Sequence, residues 1–169
     1  MIKSVRGTYD ILPADIEQWY FLEETARKVF MTHCFHEIRT PIFENTELFS
    51  RSIGEATDIV EKEMYTIAKD NGAGITLRPE ATASVVRAFL EHRLYDMATV
   101  QRLFYIGPMF RHERPQAGRL RQFHQLGIEL LGGSHPALDA EVIELLCVLL
   151  CELGLRDYIL KINTLGTLT

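Results

Sequence analysis

From Asp15 to Phe30 the apolar residues Trp19, Leu22, Ala26, Val29 and Phe30 recur at helical spacing, with Glu17, Glu23, Glu24, Arg27 and Lys28 among the other positions. That rhythm predicts an amphipathic helix, because a helical turn gathers such positions on one side. The next stretch, His36 to Glu44, contains Pro41. Proline cannot donate to a strand ladder, so this segment is expected to be an extended border piece near a strand end or sheet edge. Thr46 to Ser52 can form a short helix. Met64-Tyr65-Thr66-Ile67 and Ile75-Thr76-Leu77-Arg78 flank Asp70-Asn71-Gly72, which reads as a hairpin with its turn.

Val85, Val86, Ala88, Phe89 and Leu90 supply the apolar content of a helix predicted over Ala81 to Leu94. Two longer strands follow, Arg102 to Arg111 and Leu120 to Leu131, separated by the loop Glu113-Arg-Pro-Gln-Ala-Gly118. A helix from Leu138 to Leu153, stopped by Gly154, and a strand at Tyr158 to Ile162 complete the pattern. Strands joined by hairpins form antiparallel sheets, so the expected fold class is α+β, an antiparallel sheet flanked by helices that cover one side. No repeat or linker interrupts residues 1–169, which read as a single domain.

The chain is 47% hydrophobic and 24% charged, as an ordinary globular domain is. Its formal net charge of −5 excludes a general positive field, so any contact with RNA must be local. No apolar run approaches the ~18 residues of a membrane span, and Met1-Ile2-Lys3-Ser4 leads into polar sequence; a cytoplasmic protein without a membrane partner is expected. Cys34, Cys147 and Cys151 include no C-x-x-C pair, which argues against a disulfide framework or structural zinc. Cys147 and Cys151, four apart, are expected to share a buried helix face. His33-Cys34-Phe35-His36 matches no closed site, so no metal ligands are assigned. Trp19, Tyr20 and Phe30 read as packing residues, and Glu61-Lys62-Glu63 as a solvated charge cluster.

Alternation along the last hairpin carries the chemistry. From Arg121 onward one face holds Arg121, Phe123, Gln125, Gly127 and Glu129, while the other holds Gln122, His124, Leu126, Ile128 and Leu130. The preceding strand puts Leu103, Tyr105, Gly107, Met109, Arg111 and Glu113 on one face, and the hairpin brings Arg111 and Glu113 near Arg119, Arg121 and Phe123. A guanidinium fork suits phosphate, an aromatic ring can stack on a purine, and a carboxylate can accept from an exocyclic amine. Together they describe a nucleotide site without a Gly-rich phosphate loop, since neither G-x-x-x-x-G-K-[ST] nor G-x-G-x-x-G occurs.

Phe110-Arg111-His112-Glu113-Arg114-Pro115 resembles the second signature motif of class II aminoacyl-tRNA synthetases, and Arg119-Leu-Arg-Gln-Phe-His-Gln-Leu-Gly-Ile-Glu129 is similar to the histidyl-tRNA synthetase branch. Further similar stretches are Arg6-Gly-Thr-Tyr-Asp-Ile-Leu-Pro13, the dimer-forming first motif around Glu37-Ile-Arg-Thr-Pro41, Gly54-Glu-Ala-Thr-Asp-Ile-Val-Glu-Lys-Glu-Met-Tyr65 and Leu77-Arg-Pro-Glu-Ala-Thr-Ala83. The resemblance implies activation of histidine with ATP to histidyl-adenylate, then transfer to tRNA(His). It implies that Arg111 holds the α-phosphate and the substrate carboxylate, Glu113 reads the adenine amine, Phe123 stacks on the ring and Arg119 reaches the outer phosphates. Glu80, Thr82, Gln125 and Glu129 would surround the histidine, with Glu80 and Thr82 at its α-amine. Mg²⁺ would accompany ATP, and a homodimer would form through the Glu37–Pro41 region.

The family's third motif, the segments completing its amino-acid pocket and its anticodon-binding domain have no counterpart here. The chain is therefore expected to be the front part of the catalytic domain, without activity of its own. An alternative is a synthetase-like regulatory subunit that senses histidine and partners the first enzyme of histidine biosynthesis. A further alternative is a module used only for dimerisation. Arg111, Glu113, Arg119, Phe123, Gln125 and Glu129 together favour the enzyme, because a sensor has no need of a complete adenine and phosphate set.

Overall fold

Leu103-Phe104-Tyr105-Ile106 is apolar at every position, so a strand through it needs cover on both faces. The computed structural model, which describes residues 1–53, 64–68, 74–114, 116 and 118–163, supplies that cover. Strand β5 (Gln101–Phe110) pairs antiparallel with β6 (Gln122–Leu131) over ten residues each, from Gln101 opposite Leu131 to Phe110 opposite Gln122. On one side Phe104 packs with Ala26, Val29 and Phe30 of α1 (Ile16–Thr32), and with Leu145 and Leu149 of the last helix. Ile106, Leu126, Ile128 and Leu130 close that cluster. On the opposite side Leu103, Tyr105 and Met109 pack against Ala81 and Val85, at the start of a helix over Thr82–Glu91. Helices thus lie on both faces of the hairpin, not on one, because β5 buries Leu103, Tyr105 and Met109 on one face and Phe104 on the other.

The stretch expected as one border segment splits in two. Strand β1 (His36–Glu37) pairs parallel with β5, and Ile38 N–H donates to Phe104 O at 2.8 Å. Past Pro41 the chain enters β2 (Phe43–Asn45), which joins a second sheet. After α2 (Thr46–Ile53), β3 (Tyr65–Ala68) and β4 (Gly74–Leu77) form the expected hairpin, and β4 lies between β2 and β3. Its turn, Asp70-Asn71-Gly72, lies outside the described residues, as do most of Gly54–Tyr65 and the Glu61–Glu63 cluster.

Arg78 ties the two sheets together. Its N–H donates to Ile42 O at 2.9 Å and its carbonyl accepts from Phe110 N–H at 3.0 Å. The buried guanidinium donates from Nε to Pro108 O at 3.0 Å and from Nη1 to Thr40 O at 3.0 Å. Burial lowers its pKa, with Tyr105 and Glu44 opposing, yet arginine stays charged in proteins.

The helix over Thr82–Glu91 is α3, and α4 covers Pro136–Glu152. Helix α4 starts earlier than expected because Pro136 suits a first turn and the His135 side chain accepts Ala137 N–H at 3.1 Å. Cys147 is only half-buried and Cys151 is exposed, contrary to the expected buried pair. The helix is apolar on nearly all sides, so spacing alone did not select the face, and Leu145 and Leu149 take the core. The strand expected at Tyr158 to Ile162 is also absent: residues 155–163 carry no regular structure. A short apolar run makes a strand only where a neighbour completes its ladder, and Ile159 and Ile162 are exposed.

Phe104 is the residue on which α1, α4 and both long strands converge, its ring 5.1 Å from that of Phe30. Phe104→Ala should destabilise the chain by about 3–5 kcal/mol in urea unfolding. A loss below about 1 kcal/mol would show that this cluster does not carry the fold.

Candidate functional site

The odd face of β5 and the matching face of β6 form one surface, on which Leu103 stands opposite Glu129, Tyr105 opposite Gly127, Gly107 opposite Gln125 and Met109 opposite Phe123. The pairing continues into the loop, where Arg111 N–H donates to Arg121 O at 2.9 Å. Arg111 is held from two sides: Nε donates to Pro79 O at 2.9 Å, and the guanidinium carbon sits 5.1 Å from the centre of the Phe123 ring. This is a cation–π contact, in which the ring face meets the cation. Its Nη1 lies 3.8 Å from Glu113, whose carboxylate also accepts from Arg119 Nη1 at 3.3 Å.

Arg119 is well exposed, and its backbone exchanges hydrogen bonds with Gln116 at 3.0 and 3.2 Å. An exposed pair of this kind contributes only about 0–1 kcal/mol, so Arg119 can leave Glu113 for a stronger anion at little cost. Arg121 was expected on the same concave surface, but its guanidinium is engaged by main-chain carbonyls, Glu113 O at 3.3 Å and Arg6 O at 3.4 Å.

The other end of the surface is acidic. Thr82 Oγ1 donates to Glu129 Oε1 at 2.7 Å, linking α3 to β6. The Glu80 carboxylate accepts the N–H groups of Thr82 and of Ala83, the latter at 2.9 Å, and so caps the start of α3. Those bonds orient Glu80 and leave lone pairs for a further donor. Gln125 Oε1 is buried and has no hydrogen-bond partner among the described residues. A buried acceptor left unsatisfied is uncommon, and a ligand donor is one thing that would complete it. Burial raises the pKa of Glu129, and nearby Glu80 adds to the rise, against the lowering effect of Thr82.

Two residues of this surface were not singled out from the sequence. Tyr105 is buried, its hydroxyl interacts with Thr82, and burial first and Glu129 second push its pKa up to about 12. Its ring crosses Gly127, occupying the space that a Cβ there would need. A tyrosine facing a glycine in register was the available signal, legible only once the register is known. Arg78 is the second: an arginine between Leu77 and Pro79 gives no hint that it will be buried.

A separate cleft of about 580 Å³ lies between α2 and α3, lined by residues including Glu44, Glu47, Leu48, Arg87 and Glu91. Arg87 is paired there with Glu44 and Glu91. The cleft is lined by none of Arg111, Glu113, Arg119, Phe123, Gln125 and Glu129, which gather on the hairpin surface and its loop instead.

The family model for histidyl-tRNA synthetase matches residues 7–168. The chain belongs to the histidyl-tRNA synthetase family. It is 61% identical over 165 residues to the histidine–tRNA ligase of Halothermothrix orenii and 58% identical over 165 to that of Microcystis aeruginosa. Each alignment covers 98% of this chain and 39% of the relative, so the chain spans about two fifths of the length of these family members. Among solved structures, the apo histidyl-tRNA synthetase of S. aureus superposes with a TM-score of 0.77 at 39% identity, covering 92% of this chain and 36% of that one. A Bacillus halodurans protein described as an ATP phosphoribosyltransferase regulatory subunit/histidyl-tRNA synthetase gives 0.77 at 25% identity, covering 93% and 39%. The α+β fold read from the sequence is that of this family.

The raised Glu129 pKa makes a prediction about pH. The folded chain keeps a proton that the unfolded chain has lost, so stability falls as pH rises through the interval between the ordinary and the raised value. Glu129→Gln removes that loss. Its urea midpoint should exceed that of the parent at neutral pH, and the difference should close as pH falls below about 4. A difference that did not change with pH would rule out the buried charge as its cause.

Proposed function

We propose that this chain forms the front part of the catalytic domain of a histidine–tRNA ligase, a cytoplasmic class II aminoacyl-tRNA synthetase that activates histidine with ATP and charges tRNA(His). The observation that carries this reading is that the hairpin surface and the chain beside it have a cationic end, with Arg111 over Phe123 and Arg119 nearby, and an acidic end, with Glu80 and Glu129 beside Gln125. A polyphosphate suits the first end and an ammonium group with an imidazole suits the second.

In the first step a carboxylate oxygen of histidine attacks the α-phosphorus of ATP, a new phosphorus–oxygen bond forms, and pyrophosphate leaves with the electrons of the broken one. Arg111, held by Pro79 O and Phe123, lies between the substrates and stabilises the charge that builds on the α-phosphate oxygens. Glu113 accepts from the adenine amine, Phe123 stacks on the ring, and Arg119 turns from Glu113 to the outer phosphates. Thr82 and Glu80 take the α-amine, while Gln125 and Glu129 face the rest of the histidine. In the second step the terminal ribose hydroxyl of the tRNA attacks the acyl carbon and AMP departs.

Mg²⁺ carried by ATP would screen the charge of the phosphates. Among the described residues no group of three His, Cys, Asp or Glu side chains gathers as a metal site would. No helix among the described residues is long and apolar enough to cross a membrane. Self-association would use the Glu37–Pro41 region: among the described residues β1 pairs with β5 and is an edge of its sheet, and Glu37 is braced by Arg27 and Arg39. Sedimentation that returned only monomer at high concentration would count against this dimer.

Histidine-dependent ATP–pyrophosphate exchange, with other amino acids as controls, tests the ligase reading in a longer protein carrying this sequence. Exchange with histidine alone is expected, and Arg111→Ala should reduce it by at least about a hundredfold while circular dichroism stays unchanged. Binding of histidine without exchange would favour the regulatory-subunit reading, which the Bacillus halodurans relative brings into view.

A further inference from the structure

The N-terminal turn meets the hairpin at the base of its loop. Thr8 N–H and Oγ1 both bond to Val5 O, at 2.9 and 2.8 Å, which closes a tight turn around Arg6 and Gly7. From that turn Gly7 O accepts the N–H of Arg121 at 2.8 Å and of Gln122 at 3.3 Å, and Arg6 O accepts from the Arg121 guanidinium at 3.4 Å. The same guanidinium reaches across to Glu113 O at 3.3 Å, while Arg121 O receives Arg111 N–H. One arginine thus joins three pieces of chain: the N-terminal turn, the outgoing arm of the loop and its returning arm.

Gly7 is suited to this place for two reasons. Its φ of +89° is a left-handed conformation that side chains disfavour. A Cβ added there would also lie 2.8 Å from Arg121 Cγ and 3.0 Å from Cδ, so the arginine would have to move.

We infer that the Arg6–Gly7 turn is a latch on the stem of the loop carrying Arg111, Glu113 and Arg119, and that Gly7 is a positioning residue for ATP and not for histidine. The nucleotide part rests on the ligase reading above; the latch itself does not. All of its bonds fall at the cationic end of the site. The acidic end is held independently, through Thr82 to Glu129 and through Tyr105 across Gly127.

Gly7→Ala tests both parts. In this chain, hydrogen exchange should show faster exchange of the Arg121 and Gln122 amides by at least about tenfold, with the ladder from Leu103 to Glu129 still protected. Unchanged exchange at Arg121 and Gln122 would overturn the latch. Loss of protection along the whole ladder would do the same, because Gly7 would then serve the fold at large. In a longer protein carrying this sequence, pyrophosphate exchange should show a KM for ATP raised about tenfold and a KM for histidine within about twofold of the parent. Equal rises in both, or in neither, would overturn the ATP role. Absence of histidine-dependent exchange in the parent would remove the ligase reading and the ATP role together, while the amide data still decide the latch.

Discussion

The pairing of β5 with β6, from Gln101 opposite Leu131 to Phe110 opposite Gln122, is the constraint from which the rest of the structure follows. Side chains alternate across a strand, so a slip of one residue would carry Glu129 and Gln125 into the α1 and α4 cluster and turn Ile128 and Leu126 outward. Packing on both faces holds the register. Phe104 and Ile106 need the helices on one side, and Leu103, Tyr105 and Met109 need the start of α3 on the other. The polar surface is therefore placed by the same contacts that build the core.

Arginines attach distant chain to this hairpin in a consistent way. Arg78, Arg111 and Arg121 each donate to main-chain carbonyls: Thr40 and Pro108, Pro79, and Arg6 and Glu113. A guanidinium offers five donors in a fixed plane, so carbonyls can pin its orientation without cancelling its charge. Arg111 is only loosely opposed by Glu113, at 3.8 Å, and keeps most of its attraction for an anion. The acidic end works by a different balance. Glu80 and Glu129 share a neighbourhood with a buried, neutral Tyr105, and burial there raises the cost of a charge on Glu129.

Much of this was legible in the residues themselves. The spacing of Trp19, Leu22, Ala26 and Val29 made α1 readable, and the apolar and polar alternation from Arg121 to Leu130 separated a core face from a chemical one. The short motif around Arg111 and Glu113 marked the loop, because turn residues and charged groups leave local signatures. Local pattern misled where it lacked contrast. Cys147 and Cys151 sit on a helix apolar on nearly all sides, and Tyr158 to Ile162 is a short apolar run with no neighbouring ladder among the described residues.

By itself the sequence determined most element types before Leu155, the antiparallel hairpin and the residue types of the candidate site, since these depend on periodicities of a few residues. The tertiary structure decided what depends on partners remote along the chain. It divided the His36–Glu44 stretch between two sheets, buried Arg78 between them and laid Tyr105 across Gly127. It also took Arg121 out of the open site and bound it to Arg6, 115 positions away. The physical reason is that hydrogen-bond satisfaction and close packing are settled over the whole fold, and no local pattern records which carbonyl a given arginine will meet.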